Sequence, residues 1–182
     1  MPESIESSFP KVNFLGVIAA VLILFSIIFP WWGITLVASG TSVTELWGLW
    51  GLSGDPIPGV VSPDFAEVLT TFSPAILIIA LAGVALGVAG SFISRYSPIA
   101  ASLVLAIGNL LGYAGLVSYA VSQNCQGAWC ISQPTGSSSF FELSIDWGFQ
   151  LGFYIFAAAT VILLFGLVFH RPLTQRAQAT KA

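Results

Sequence analysis

Few side chains in this sequence could do chemistry, and their placement restricts what that chemistry could be. Cys125 and Cys130 are the only two cysteines, and their Cys-x4-Cys spacing would close a small ring around Gln126-Gly127-Ala128-Trp129. In an oxidising compartment such a pair is expected to form a structural disulfide. A redox-active pair is the alternative, but relaying electrons needs a second cysteine pair, which the chain lacks; in reducing surroundings the two would be free thiols. His170, the single histidine, lies beside Arg171-Pro172 with no second ligand nearby for a metal or haem. At the end of an apolar run it suits an interfacial cation favoured by a helix C-terminus. The carboxylates Glu45, Asp55, Asp64, Glu67, Glu142 and Asp146 are spread over two segments without a metal-binding spacing. There is no nucleophile–base pair, metal-ligand cluster or phosphate-binding glycine loop. No cofactor is expected, and no enzymatic activity from this chain alone.

The elements that carry these residues follow from hydropathy. Of 182 residues 56% are hydrophobic and only 7% charged, and the mean hydropathy is +0.92. A soluble domain needs roughly a quarter of its residues charged to wet its surface, so lipid is expected to cover most of this one. Apolar stretches at 12–30, 69–93, 98–121 and 148–169 contain no Asp, Glu, Lys or Arg. Each approaches or exceeds the roughly 20 residues a helix needs to cross the hydrocarbon core. The expected fold is a membrane α-helical protein: a single four-transmembrane-helix bundle over residues 1–182, with connecting loops at 31–68 and 122–147. The first stretch lacks the basic leader and small-residue cleavage site of a signal peptide and is read as retained.

Charge orients the spans. All five basic residues, Lys11, Arg95, Arg171, Arg176 and Lys181, lie before the first stretch, between the second and third, or after the fourth. The two long loops hold acidic residues and no Lys or Arg. Cytoplasmic segments carry the basic excess, so both termini and the Arg95 turn are expected in the cytoplasm of a multi-pass cell-membrane protein. All six Trp then fall on the outer side. With a net charge of −3 and no basic cluster, a nucleic-acid partner is excluded.

The outer loops carry strand signals. Ile34-Thr35-Leu36-Val37 and the run Ser42 to Trp47 flank Ala38-Ser39-Gly40-Thr41, a β-hairpin pattern. Phe141, Leu143, Ile145 and Trp147 alternate with polar residues and predict a half-buried strand leading into the fourth span. A lone hairpin is marginal in water, so the two loops are expected to join in one small extracellular β-sheet. Residues 53–63 read as a loop. Ser62-Pro63-Asp64 reads as a helix start, with a serine cap, proline at the first position and an acid at the positive end of the dipole.

Small residues recur within the spans at helix-contact spacing: Gly83 and Gly87, Ala85 and Ala89, Gly108 and Gly112 with Gly115 beyond, and Gly148 and Gly152. Such faces let backbones approach closely, either within the bundle or against a partner helix. Asn109 is the one strongly polar residue deep in a span and is expected to hydrogen-bond across helices. Proton relays, voltage sensors and ion-coupled transport use intramembrane ionisable groups, and none is present here. A channel or transporter acting alone is therefore disfavoured.

Trp31 and Trp32 directly after the first span, followed at a distance by Gly48-Leu49-Trp50, resemble the claudin superfamily of four-span proteins, which includes claudins, peripheral myelin and epithelial membrane proteins and calcium-channel gamma subunits. Phe141-Glu142-Leu143 before a Gly- and aromatic-rich last span is similar to that family's entry to its fourth helix. The sequence departs from the pattern in having no cysteine pair in the first loop. The resemblance implies a non-catalytic role in adhesion or assembly, through contacts made by the outer domain with other membrane proteins or with a second copy. The other reading is an accessory subunit of a respiratory or transport complex in the lipid bilayer, held by the small-residue faces.

Overall fold

The computed structural model describes residues 12–54, 57, 59–93, 95–123 and 131–170. Along the chain run α1 (Phe14–Ile28), β1 (Trp32–Ala38), β2 (Thr41–Gly48), β3 (Gly51–Gly54), α2 (Pro63–Phe92), α3 (Tyr96–Gln123), β4 (Gly136–Phe140), β5 (Leu143–Phe149) and α4 (Leu151–Val168). Local chemistry explains the helix ends. Asn13 caps α1, its side chain accepting from the Gly16 N–H. Pro30 stops the same helix by forcing Phe29 into extended backbone, φ −91° and ψ 156°. Ser62 caps α2 by accepting from the Phe65 N–H, with Pro63 at the first position and Asp64 in the first turn.

Helices occupy all four apolar stretches. Three of them, α2, α3 and α4, are long and apolar enough to cross a membrane; α1 is equally apolar but has 15 residues, about 22 Å. Two boundaries differ from the sequence reading. The helix start expected at Ser62-Pro63-Asp64 is where α2 begins, running on into the apolar stretch from 69, but Phe141, expected in the strand before the last span, lies in the turn ahead of β5 at φ +54°. The helix expected from 148 begins at Leu151, because β5 continues its pairing with β1 as far as Phe149. Gly148 is consequently a strand residue and forms no helical pair with Gly152.

The strands form one antiparallel sheet in the order β3-β2-β1-β5-β4. Both expected segments contribute: β1 pairs with β2 through Trp32↔Trp47 to Ala38↔Thr41 and with β5 through Trp32↔Phe149 to Ala38↔Leu143. The β1–β2 turn uses Ser39 at φ +47° and Gly40 at φ +82°, the left-handed pair that a two-residue turn needs to follow the strand twist. β3 and β4 were not anticipated, and Gly51–Gly54 in part replaces the expected loop at 53–63.

Connectivity places the sheet at one end of the bundle. α1 runs into β1, α3 precedes β4, and β2–β3 and β5 lead into α2 and α4. The register puts Trp32, Ile34 and Leu36 on one sheet face with Trp47, Glu45 and Val43 of β2 and with Phe149, Trp147 and Ile145 of β5. Ile57, Val60 and Phe65 are buried with Trp32, Ile34 and Trp47 in one continuous core that extends down the helices through Phe156, Ile23 and Leu163.

Candidate functional site

Two aromatic clusters anchor the sheet to the helices. Trp31 is completely buried, with edge-to-face contacts to Tyr113 at 5.0 Å, Phe156 at 5.0 Å and Phe153 at 6.0 Å. Its neighbour Trp32 points the other way, to Trp47 at 5.4 Å and Phe65 at 5.1 Å, with Phe65 also 5.4 Å from Trp47. Adjacent extended residues face opposite sides, so consecutive tryptophans supply one ring to the bundle and one to the sheet.

The tryptophans also complete hydrogen bonding at the end of α1. The last four carbonyls of a helix have no intrahelical partner. The Trp31 indole donates to the Ser26 carbonyl at 3.0 Å, and Trp50 donates to the Ile27 carbonyl at 2.9 Å. In Gly48-Leu49-Trp50, Gly48 ends β2, Leu49 is buried, and Trp50 is 71% exposed apart from this bond. Trp32 donates to the Pro134 carbonyl and Trp147 to the Gln133 carbonyl, fastening the segment before β4.

Glu45 is an acidic residue on the apolar sheet face and only 3% exposed. One of its oxygens accepts from the Ile57 N–H at 3.0 Å, pinning the segment before α2 over the sheet. Burial pushes its carboxyl pKa above the ordinary range, against the lowering effect of that hydrogen bond. On the opposite face, Gly33 and Gly148 lie across from each other. Near this glycine pair an open cavity of about 310 Å³ is lined by Thr35, Thr135, Asp146, Gln150 and Tyr154 among others. The sequence reading missed it, since only the cross-strand register brings those glycines together.

The small-residue positions divide into two sets. Gly83 and Gly87 lie where α2 meets α3, with Ser102 close to both and Ala20 of α1 also beside Gly87. Gly152 lies against Trp31 and the backbone of Phe29 and Pro30. A Cβ at Gly108, Gly112 or Gly115 would meet nothing; these face away from the bundle, so packing among the described residues does not account for them. Asn109, on the buried side of α3, donates through Nδ2 to the Ile76 carbonyl of α2 at 3.1 Å.

The far end of the bundle holds a polar knot that the sequence did not suggest. Asn13 donates through Nδ2 to the Gly166 carbonyl at 2.8 Å and to His170 Nδ1 at 3.1 Å, and its backbone N–H donates to the Ser91 carbonyl at 2.9 Å. His170 also has a hydrogen bond with the Ile93 backbone and an edge contact with Tyr96 at 5.2 Å. His170 is 1% exposed and its pKa is lowered by desolvation. The residue expected as an interfacial cation is instead buried against Asn13 and Tyr96, where burial disfavours its charged form. An Asn immediately before an apolar run was the available signal, as a helix cap.

Cys125 and Cys130 lie outside the described residues. Among the described residues no group of three or more His, Cys, Asp or Glu is arranged to hold a metal ion. Comparison of the chain with protein-family models and with curated proteins finds no match to either.

Proposed function

We propose that this chain is a non-catalytic, claudin-like membrane protein that crosses the bilayer four times, keeps both ends in the cytoplasm, and acts in adhesion or assembly through its tryptophan-rich outer sheet. The observation that carries the reading is the sheet itself. Covering four helix ends does not require five strands, two aromatic clusters and a strand from the second loop completing a hairpin from the first. Its distal turn presents Phe141, 91% exposed, at a φ of +54°, a left-handed conformation unusual for a bulky residue.

Outward apolar side chains support the spans: Phe14, Val21, Phe25 and Ile28 on α1, with Val104 and Leu111 on α3 and Leu151 and Val161 on α4, are all exposed. In water such a surface would drive aggregation; in lipid it is the expected surface. α1 is short, but the exposed Trp50 at its end suits the interfacial region.

Membrane-impermeant labelling of intact cells tests the topology. Ser53→Cys is expected to react from outside and Arg95→Cys only after permeabilisation; the reverse pattern overturns it. For the role, proteoliposomes displaying the sheet outward are expected to cluster or to yield homo-oligomers on native mass measurement, and Phe141→Ser to reduce this. Vesicles that stay dispersed, with a strictly monomeric protein, count against adhesion.

A second reading, an accessory subunit of a larger membrane complex, is favoured by the open stripe of Gly108, Gly112 and Gly115, where a partner helix could approach closely. Stoichiometric co-purification with unrelated membrane subunits after mild extraction supports it, and loss of that association in Gly112→Leu would assign the contact to α3.

A further inference from the structure

Among the described residues, two polar atoms in the middle of the helix bundle have no protein hydrogen-bond partner: Tyr113 Oη and Asn109 Oδ1. Both residues are buried, at 0% and 2% exposure. They stand out because the other buried hydroxyls of the helices are each bonded to a backbone carbonyl. Ser26 donates to Ile23, Ser73 to Leu69, Ser91 to Gly87, Ser102 to Gly83 and Thr160 to Phe156, at 2.6 to 2.9 Å. A buried polar atom left unbonded carries its full desolvation cost, and nearly all such atoms in folded proteins have a partner.

The two exceptions share one turn of one helix. Residues four apart lie on the same helix face, so the Tyr113 hydroxyl and the Asn109 amide oxygen both belong to the buried face of α3, one turn apart. The Asn109 amide cannot turn to meet the hydroxyl, because Nδ2 is committed to the Ile76 carbonyl at 3.1 Å. The Tyr113 ring is held by Trp31 at 5.0 Å. A hydroxyl donor and a carbonyl acceptor are therefore fixed on one face without bonding each other.

We propose that a single ordered water bridges Tyr113 Oη and Asn109 Oδ1, accepting from the phenol and donating to the amide oxygen. The chemistry selects the ligand. An apolar molecule would leave both atoms unbonded, and a bare ion would need more oxygen ligands than these two. A water needs 2–4 polar partners, and these supply two. The water extends the α2–α3 contact at Ile76 through Asn109 to the ring that packs on Trp31, so one polar link joins the interhelical bond to the aromatic anchor of the sheet.

The test uses the full chain in lipid nanodiscs with tyrosine labelled at the ring carbon bearing oxygen. The four tyrosines give four signals, and Tyr113 is assigned by its disappearance in Tyr113→Phe. Water-edited solid-state NMR is expected to show rapid magnetisation transfer from a long-lived water to Tyr113, abolished in Asn109→Leu. Reversible unfolding supplies the second readout. Tyr113→Phe is expected to shift the unfolding equilibrium about tenfold toward the unfolded state, and the double variant little further than either single one. Absence of water transfer to Tyr113 in the unsubstituted protein overturns the proposal. So does a Tyr113→Phe variant as stable as the parent or more stable, since removing an unbonded hydroxyl relieves a cost.

Discussion

Trp31 shows how much one residue can join: its ring fills the bundle among Tyr113, Phe153 and Phe156 while its indole N–H completes the end of α1. Trp31→Ala is expected to lower stability by about 3–5 kcal/mol in a detergent-unfolding titration. Trp50→Ala, which loses one partly exposed hydrogen bond and little packing, is expected to cost about 1 kcal/mol. Glu45 gives a pH dependence whose sign follows from its burial. Its folded pKa is raised above the ordinary 4.5, so its contribution to stability is complete below the unfolded value and is lost as pH rises through the folded value. Glu45→Gln is therefore expected to flatten the stability–pH curve above pH 4.5 and to make the protein more stable at neutral pH. Thermal melts from acid to neutral pH measure this, and an unchanged slope counts against the burial argument. His170 has the opposite sign. Its lowered folded pKa means stability is present above the ordinary 6.5 and is lost as pH falls through the folded value.

Among the elements, glycine packing gives the sharpest contrast. A Cβ at Gly152 would meet Trp31 Cδ1 at 2.5 Å and the Phe29 and Pro30 carbonyls at 2.7 and 2.8 Å. Gly152→Ala is expected to destabilise by about 1–3 kcal/mol through overpacking. Gly112→Ala meets open space and is expected to stabilise the isolated protein by a few tenths to about 1 kcal/mol through helix propensity; comparing the two melts checks both. The helices and the three longer strands were legible in sequence because their signals are local: apolar runs, a serine–proline start, alternation around a turn. β4 was not legible, since Gly-Ser-Ser-Ser carries little strand propensity and becomes a strand only by pairing with β5. β3 was hidden for the same reason, lying in a glycine-rich stretch held by β2. At the site level the sequence could nominate Asn109 and the glycines but not their direction. Which side of α3 faces inward depends on its neighbours, and no periodicity within an all-apolar helix encodes it.

Across the whole molecule, the sheet is completed only by strands far apart in sequence. Cys125 and Cys130, between α3 and β4, are expected to be linked on non-reducing mass mapping of freshly isolated protein; free thiols would remove the staple from the reading. The central position of β1 has a kinetic consequence. Its partner on one side is the next strand, but on the other side it is β5, with Trp32 directly across from Phe149. A growing chain can form β1, β2 and β3 early, yet it must leave one edge of β1 unpaired until the strand before the last helix has been made. Non-local pairing of this kind is slow, and an unpaired edge invites the wrong strand. Biogenesis, more than the finished fold, is therefore where this protein is exposed. Chains arrested after α3 should be held by chaperones or degraded, and substitutions in β5 should reduce yield more than they reduce the stability of whatever protein matures.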